Sequence, residues 1–190
     1  AANGSATMES IVEGIRYAVR NGAHVINLSV GGSANSTALV DAITYANTNH
    51  VVVVAAAGNS NTTAPSYPAA INLPNVISVA AVDSANLRSA FSNYGKNIVH
   101  LFAPGSAIYS LFPNNSYKTL DGTSMATPIV AGVVGLVLSI HGTAAAPTMR
   151  DRLMFTSRKL RRLDGFVTSN GVVNAPNAIK GQLSFDFLVD

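Results

Sequence analysis

Ser124 stands within Gly122 to Pro128, Gly-Thr-Ser-Met-Ala-Thr-Pro, directly ahead of Ile129 to Ile140, an apolar run almost free of charge. The run predicts a buried helix with the serine at its mouth. The first amides of a helix have no acceptor inside it, and the helix dipole places partial positive charge at the same end. Negative charge developing beside the Ser124 hydroxyl would meet those donors. One short segment thus offers a nucleophile and part of an oxyanion site. Serine is also a common helix cap, a part Thr123 fits equally well, so the segment alone does not define a reaction.

A second candidate lies earlier in the chain. Val51 to Ala57 is a continuous apolar strand ending in Gly58-Asn59. In open α/β sheets ligands gather beyond the carboxyl ends of strands. The Asn59 carboxamide there is placed to donate to an oxyanion, although Gly-Asn after a strand also reads as a plain turn. His24 to Val30 is another strand, broken by Gly31-Gly32, so its end, Ser29-Val30-Gly31-Gly32, carries little side-chain bulk.

These residues need elements to hold them. Met8, Ile11, Val12, Ile15 and Val19 recur at helical spacing, with Gly22 placed as a C-terminal cap, and Leu39, Ala42, Ile43 and Ala46 mark a second helix. Val76 to Val82 and Val99 to Ala103 read as strands, Asn93-Tyr94-Gly95 as a turn, and Tyr109 to Tyr117 as a hairpin around Pro113-Asn114-Asn115. Met149, Leu153 and Met154 suggest a further helix. Leu183, Phe185, Phe187 and Val189 alternate as a terminal strand or extension over 183–190. Strand alternating with helix predicts one α/β domain over 1–190, a doubly wound parallel sheet covered on both faces.

With 48% hydrophobic and 11% charged residues in 190, the chain has the composition of a packed core rather than of disorder. A net charge of +3 does not call for nucleic acid. Half the basic residues (Arg150, Arg152, Arg158, Lys159, Arg161, Arg162) cluster near the C-terminus and are read as a solvated helix end rather than an anion-binding patch. The absence of cysteine excludes disulfides and thiolate chemistry, and the four histidines are not spaced as zinc ligands. The longest apolar run falls short of the ~20 residues of a membrane span. Ala1 to Thr7 has no signal-peptide pattern, so the chain is expected to start inside a domain. No Gly-x-Gly-x-x-Gly joins strand to helix, against a dinucleotide-binding domain. Five Asn-x-Ser/Thr sites occur, at Asn3, Asn27, Asn35, Asn61 and Asn114, and Asn27 is expected in a buried strand, closed to glycosylation.

Taken together, VINLSVGG (Val25 to Gly32), VVVVAAAGN (Val51 to Asn59), Tyr67-Pro68, VISVAAVD (Val76 to Asp83), AFSNY (Ala90 to Tyr94), APG (Ala103 to Gly105) and GTSMATPIVAG (Gly122 to Gly132) resemble the subtilisin-like serine proteases, in family order from about Ala1 to Ile179. The resemblance implies Ser124 as nucleophile and the Asn59 side chain as oxyanion donor, aided by the Ser124 amide. It implies Ser29, Val30, Gly31, Gly32, Ala56, Ala57 and Gly58 as walls for an extended polypeptide substrate, Ser66 as the floor of the pocket before the scissile bond, and Phe91 and Leu120 on the leaving-group side. No cofactor is implied for the chemistry. A structural calcium is allowed, through carbonyls near Ala69 to Leu73 and Asp83, as is a secreted or vacuolar-type location.

The family orders its triad Asp, His, Ser, so the aspartate strand and the histidine helix are expected before Ala1. The resemblance therefore implies a missing N-terminal part of the same domain as partner, supplying both residues and the strands beside His24 to Val30. His24, His50, His100 and His141 are read as structural or surface residues. His141 opens a His-Gly-Thr sequence, but a helix of about twelve residues would place it near 18 Å from Ser124. Pro128-Ile129-Val130 stands where the family has Pro-His-Val. The expectation is a serine endopeptidase working through an acyl-enzyme, with this chain alone incomplete and inactive. The alternative is an inactive fragment or pseudoprotease that only binds extended peptides.

Overall fold

Val52–Ala56 and Val76–Val82 are buried at every position, as strands covered on both faces must be, and they form the centre of the sheet. The computed structural model describes residues 5–183, with the side chains of residues 144 and 145 excepted. In chain order the elements are α1 (Met8–Arg20), β1 (Val25–Leu28), α2 (Thr37–Thr48), β2 (Val52–Ala56), β3 (Val76–Val82), β4 (Leu101–Pro104), β5 (Ile108–Phe112), β6 (Ser116–Leu120), α3 (Thr123–His141), α4 (Met149–Thr156), β7 (Arg158–Lys159), β8 (Gly171–Val172) and α5 (Ala175–Lys180). The terminal strand expected over 183–190 lies essentially outside the described residues.

The sheet runs β1-β2-β3-β4-β8-β7, parallel from β1 to β8 and closed by antiparallel β7. Alternation along the strands sorts the core. Val53, Val76 and Ile26 pack with Val12, Ile15 and Val19 of α1 and Leu39, Ile43 and Ala46 of α2. Val52, Val54, Ile77 and Val79 pack with Val130, Val134 and Val137 of α3, and α4 and α5 join that face. Helices on both faces of a parallel sheet make the doubly wound α/β architecture that the sequence predicts.

The helix starts follow local chemistry. Thr7 caps α1 by accepting from the Ser10 amide at 3.2 Å, and Ser36 caps α2 by accepting from Leu39 at 3.2 Å. α3 differs from expectation: it begins at Thr123, not Ile129, and carries Pro128 inside it. Its 19 residues are long and apolar enough to span a membrane by composition, yet Ala126, Val130, Val133, Val134, Val137 and Leu138 are buried on the sheet, as in a core helix. The longer helix also puts His141 roughly 25 Å from Ser124 at 1.5 Å per residue, rather than 18 Å. His141 Nε2 lies 2.6 Å from the Ile179 carbonyl.

Asn27 is exposed on β1, not buried, because β1 is an edge strand of the sheet and the face that Asn27 occupies is open there. The basic cluster is not simply a solvated helix end. Arg150 donates to Leu73 O, Arg152 to Ala178 O and Ile179 O, Lys159 to Met154 O and Arg162 to Ala85 O, so these cations tie distant carbonyls together.

His100 sits half-buried at the start of β4, with Nδ1 accepting the Ser78 amide at 2.8 Å. Burial, reinforced by the Arg150 charge, lowers its pKa from 6.5 to about 4. The folded protein therefore keeps the ring neutral while the unfolded chain binds a proton between pH 6.5 and about 4. Stability falls as pH drops through that window, by up to about 3 kcal/mol, and levels off below it. Thermal melts at pH 7 and 4.5 should show the loss in the wild type and much less of it in His100→Asn, which keeps an acceptor for Ser78.

Candidate active site

Three chain segments far apart in sequence meet at the carboxyl end of β2. The loop after β2 presents Asn59, the start of α3 presents Ser124, and the end of β1 presents Ser29. Ser124 is the second residue of α3, where a backbone amide has no acceptor within the helix. Gly105 makes the approach of α3 possible: a Cβ on it would lie 2.5 Å from Ala81 Cβ and 2.8 Å from the Gly122 carbonyl.

Asn59 is oriented by fully buried Thr123. Its Oδ1 accepts from Thr123 N and from Thr123 Oγ1, each at 2.9 Å. An amide N–H needs an acceptor, so these contacts fix Oδ1 on Thr123 and make Nδ2 the other, donating end of the carboxamide. Thr123 Oγ1 also accepts from Gly58 N at 3.1 Å, joining the end of β2 to the head of α3.

Asn93, which the sequence marks only as a turn, is a buried clamp on this loop. Its Oδ1 accepts from Ser60 N at 2.8 Å and Thr62 N at 3.3 Å, its Nδ2 donates to Ala57 O at 3.0 Å, and its own amide donates to Gly58 O at 2.9 Å. Gly58 adopts φ +105°, and a Cβ there would sit 2.4 Å from Asn93 Nδ2. Gly58→Ala should therefore strain the backbone and displace the clamp, lowering stability by about 1–3 kcal/mol in denaturant melts. The available signal for Asn93 was its place in the AFSNY motif (Ala90 to Tyr94), and its partners lie more than thirty positions away.

A cavity of about 290 Å³ opens between these parts, lined by Val30, Gly31, Gly32, Ala56, Gly58, Asn59, Ser66, Asn93, Thr123 and Ser124 among others, none of them charged. A second cavity, of about 360 Å³, shares Val30, Gly31 and Gly32 as its wall and adds Ser29, Met8, Ile11, Leu39 and Tyr67. A third, of about 370 Å³, lies on the other side of Ser124 under the β5–β6 hairpin and includes Leu120 and Met125. The structure thus brings Ser124, Asn59, Ser29 to Gly32, Ala56, Gly58, Ser66 and Leu120 to one connected surface. Ala57 is buried behind it, with its carbonyl bonded to Asn93. Phe91 packs half-buried against the core beneath α3 and lines none of the three cavities.

None of His24, His50, His100 and His141 lines these cavities. Ser124 Oγ instead donates to the Ser29 carbonyl at 3.0 Å. Of the residues named for calcium, Asp83 Oδ1 accepts from Ala85 N and Leu87 N, both at 2.9 Å, and Leu73 O takes the Arg150 guanidinium at 3.0 Å. Among the described residues no group of three His, Cys, Asp or Glu side chains converges.

A parallel sheet wound on both faces, with a serine at the head of its central helix and an asparagine at a strand end, is a subtilisin-like α/β fold. The profile of the Subtilase family matches residues 1–181, and the chain belongs to that family. It is 43% identical over 180 residues to subtilisin DY of Bacillus licheniformis, covering 93% of this chain and 64% of that protein. It is 44% identical to thermitase of Thermoactinomyces vulgaris, covering 94% and 62%. The chain thus spans somewhat less than two thirds of the length of these two relatives. Among solved structures, a cold adapted subtilisin-like serine proteinase superposes with TM-score 0.82 at 36% identity, over 90% of this chain and 63% of that one. The prenylagaramide maturation protease PagA superposes with TM-score 0.81 at 30% identity, over 95% and 70%.

Proposed function

We propose that the assembled protein is a serine endopeptidase and that this chain carries its nucleophile and oxyanion site. The observation that supports the reading is the Asn59 carboxamide, its Oδ1 held by Thr123, in the lining of the same cavity as Ser124. Ser124 Oγ bonds to the substrate carbonyl carbon while its proton passes to a histidine. That histidine returns the proton to the leaving amine as the C–N bond breaks, and water then hydrolyses the acyl ester. Asn59 Nδ2 and the Ser124 amide receive the oxyanion in the tetrahedral stages.

The histidine, and the aspartate that orients it, belong in this reading to a segment outside these 190 residues, because the four histidines of this chain stand away from Ser124. The same segment would pair with β1, whose outer edge has no strand beside it among the described residues. On its own the chain is inactive and retains the peptide-binding surface. Substrate lies as an extended strand along Ser29 to Gly32, where missing side chains let two backbones approach. The uncharged 290 Å³ cavity favours medium or large apolar side chains before the scissile bond, since a buried cation there would have no counter-charge. A strict preference for arginine would contradict this. An extracellular location is part of the same reading.

A fluorophosphonate probe tests it. The native preparation should label at Ser124, Ser124→Ala should not, and intact-mass analysis should show the chain continuous with or accompanied by a segment bearing the Asp and His. Absence of labelling with retained peptide binding would establish the pseudoprotease instead.

A further inference from the structure

We propose that Ser29 is a positioning residue for the nucleophile, its hydroxyl replacing the backbone donor that Pro128 removes from α3. The inference rests on the reading of Ser124 as nucleophile. In a helix the amide of residue 128 would donate to the carbonyl of residue 124. Proline has no N–H, and its ring presses against the carbonyl four residues back. The carbonyl deprived in α3 is that of Ser124 itself.

Ser29 Oγ donates to this carbonyl at 2.8 Å, across 95 positions of sequence. Asn27 Nδ2 donates to Ser29 Oγ at 2.9 Å. That bond occupies a lone pair of Oγ and leaves its single proton for an acceptor, which is Ser124 O. In return the Ser124 hydroxyl donates to Ser29 O. The peptide of the nucleophile is therefore gripped from the end of β1 at the one place where its helix cannot hold it. A wall for an extended substrate needs only small side chains, which glycine or alanine would supply. The hydroxyl of Ser29 serves the carbonyl of Ser124.

Pro128 is exposed, so Pro128→Ala opens no core cavity and restores the missing amide. This allows a four-protein cycle on the full-length protein: wild type, Ser29→Ala, Pro128→Ala and the double variant. The readouts are the fluorophosphonate labelling rate at Ser124 and the melting temperature. Ser29→Ala should slow labelling about 10-fold when residue 128 is proline, as expected for a small displacement of a reacting group, and by less than about 2-fold when it is alanine. Ser29→Thr, which keeps a hydroxyl, should retain most of the rate. Equal losses in the two backgrounds would overturn the proposal. If no variant labels, the protease reading fails, and the melts decide this inference alone: a fall of about 2–4 °C confined to the Pro128 background supports it, and equal falls overturn it. Should Ser29→Ala fail to fold, its folding with Pro128→Ala supports the proposal and failure of both overturns it.

Discussion

With Ser124 as the proposed nucleophile, Ser124→Ala should lower the turnover of the assembled protein by about 10⁶, the scale on which removal of the nucleophile acts in subtilisin, while leaving the fold in place. The structural cost is small because the hydroxyl makes one bond, to Ser29 O, and Ser124 is only half-buried. The catalytic cost is nearly complete because the acyl-enzyme has no other atom on which to form. Turnover of an apolar peptide substrate, with melting temperature as the control, separates the two. A variant that keeps even a hundredth of wild-type turnover would remove Ser124 from the chemistry.

The second large effect belongs to Asn59. Asn59→Leu should reduce kcat by about 10² to 10³ with little change in KM, since the lost donor acts on charge that exists only in the transition state; subtilisin supplies the scale. Leucine also takes away the acceptor used by the Thr123 amide, so its loss combines the missing donor with a disturbed α3. Asn59→Asp divides the roles. A carboxylate still accepts from Thr123 N and Oγ1 but offers no donor and adds negative charge beside the developing oxyanion. It should fold like the wild type and lose at least as much kcat as the leucine variant. If Asn59→Asp kept its turnover, the oxyanion role would fall.

The sequence displayed the fold wherever structure is local or repetitive. β3 appears at the expected Val76 to Val82 because a strand buried on both faces is a run of apolar residues with nothing else to explain it. The β5–β6 hairpin appears because Asn114 and Asn115, at φ 65° and 53°, adopt the left-handed turn that asparagine tolerates. The start of α3 at Thr123 lies ahead of the apolar run that predicts the helix, and the hydroxyl that serves the carbonyl deprived by Pro128 comes from just beyond β1, far off in sequence. Asn93 was hidden for the same kind of reason. Its local sequence is that of a turn, while its bonds reach Ala57, Ser60 and Thr62. Two-residue β7 and β8 and the short α5 carry too few residues for any period to show. The candidate residues for the chemistry were legible as motifs, and the residues that hold them were legible only in three dimensions.

The Asn93 clamp also bears on how the site ages. Asparagine deamidates when the backbone nitrogen of the following residue closes on its side-chain carbonyl carbon, and asparagine is accordingly among the thermolabile residues. Asn59 is exposed and followed by Ser60, a setting open to that loss. Here the Ser60 nitrogen points its hydrogen at Asn93 Oδ1, and the Asn59 carbonyl oxygen is held by two donors from Thr123. Ring closure would require the Ser60 nitrogen to leave Asn93 Oδ1 and turn onto the Asn59 side chain. The Asn93 clamp, by holding the attacking nitrogen, should thus slow conversion of Asn59 to aspartate in the folded protein relative to the unfolded chain.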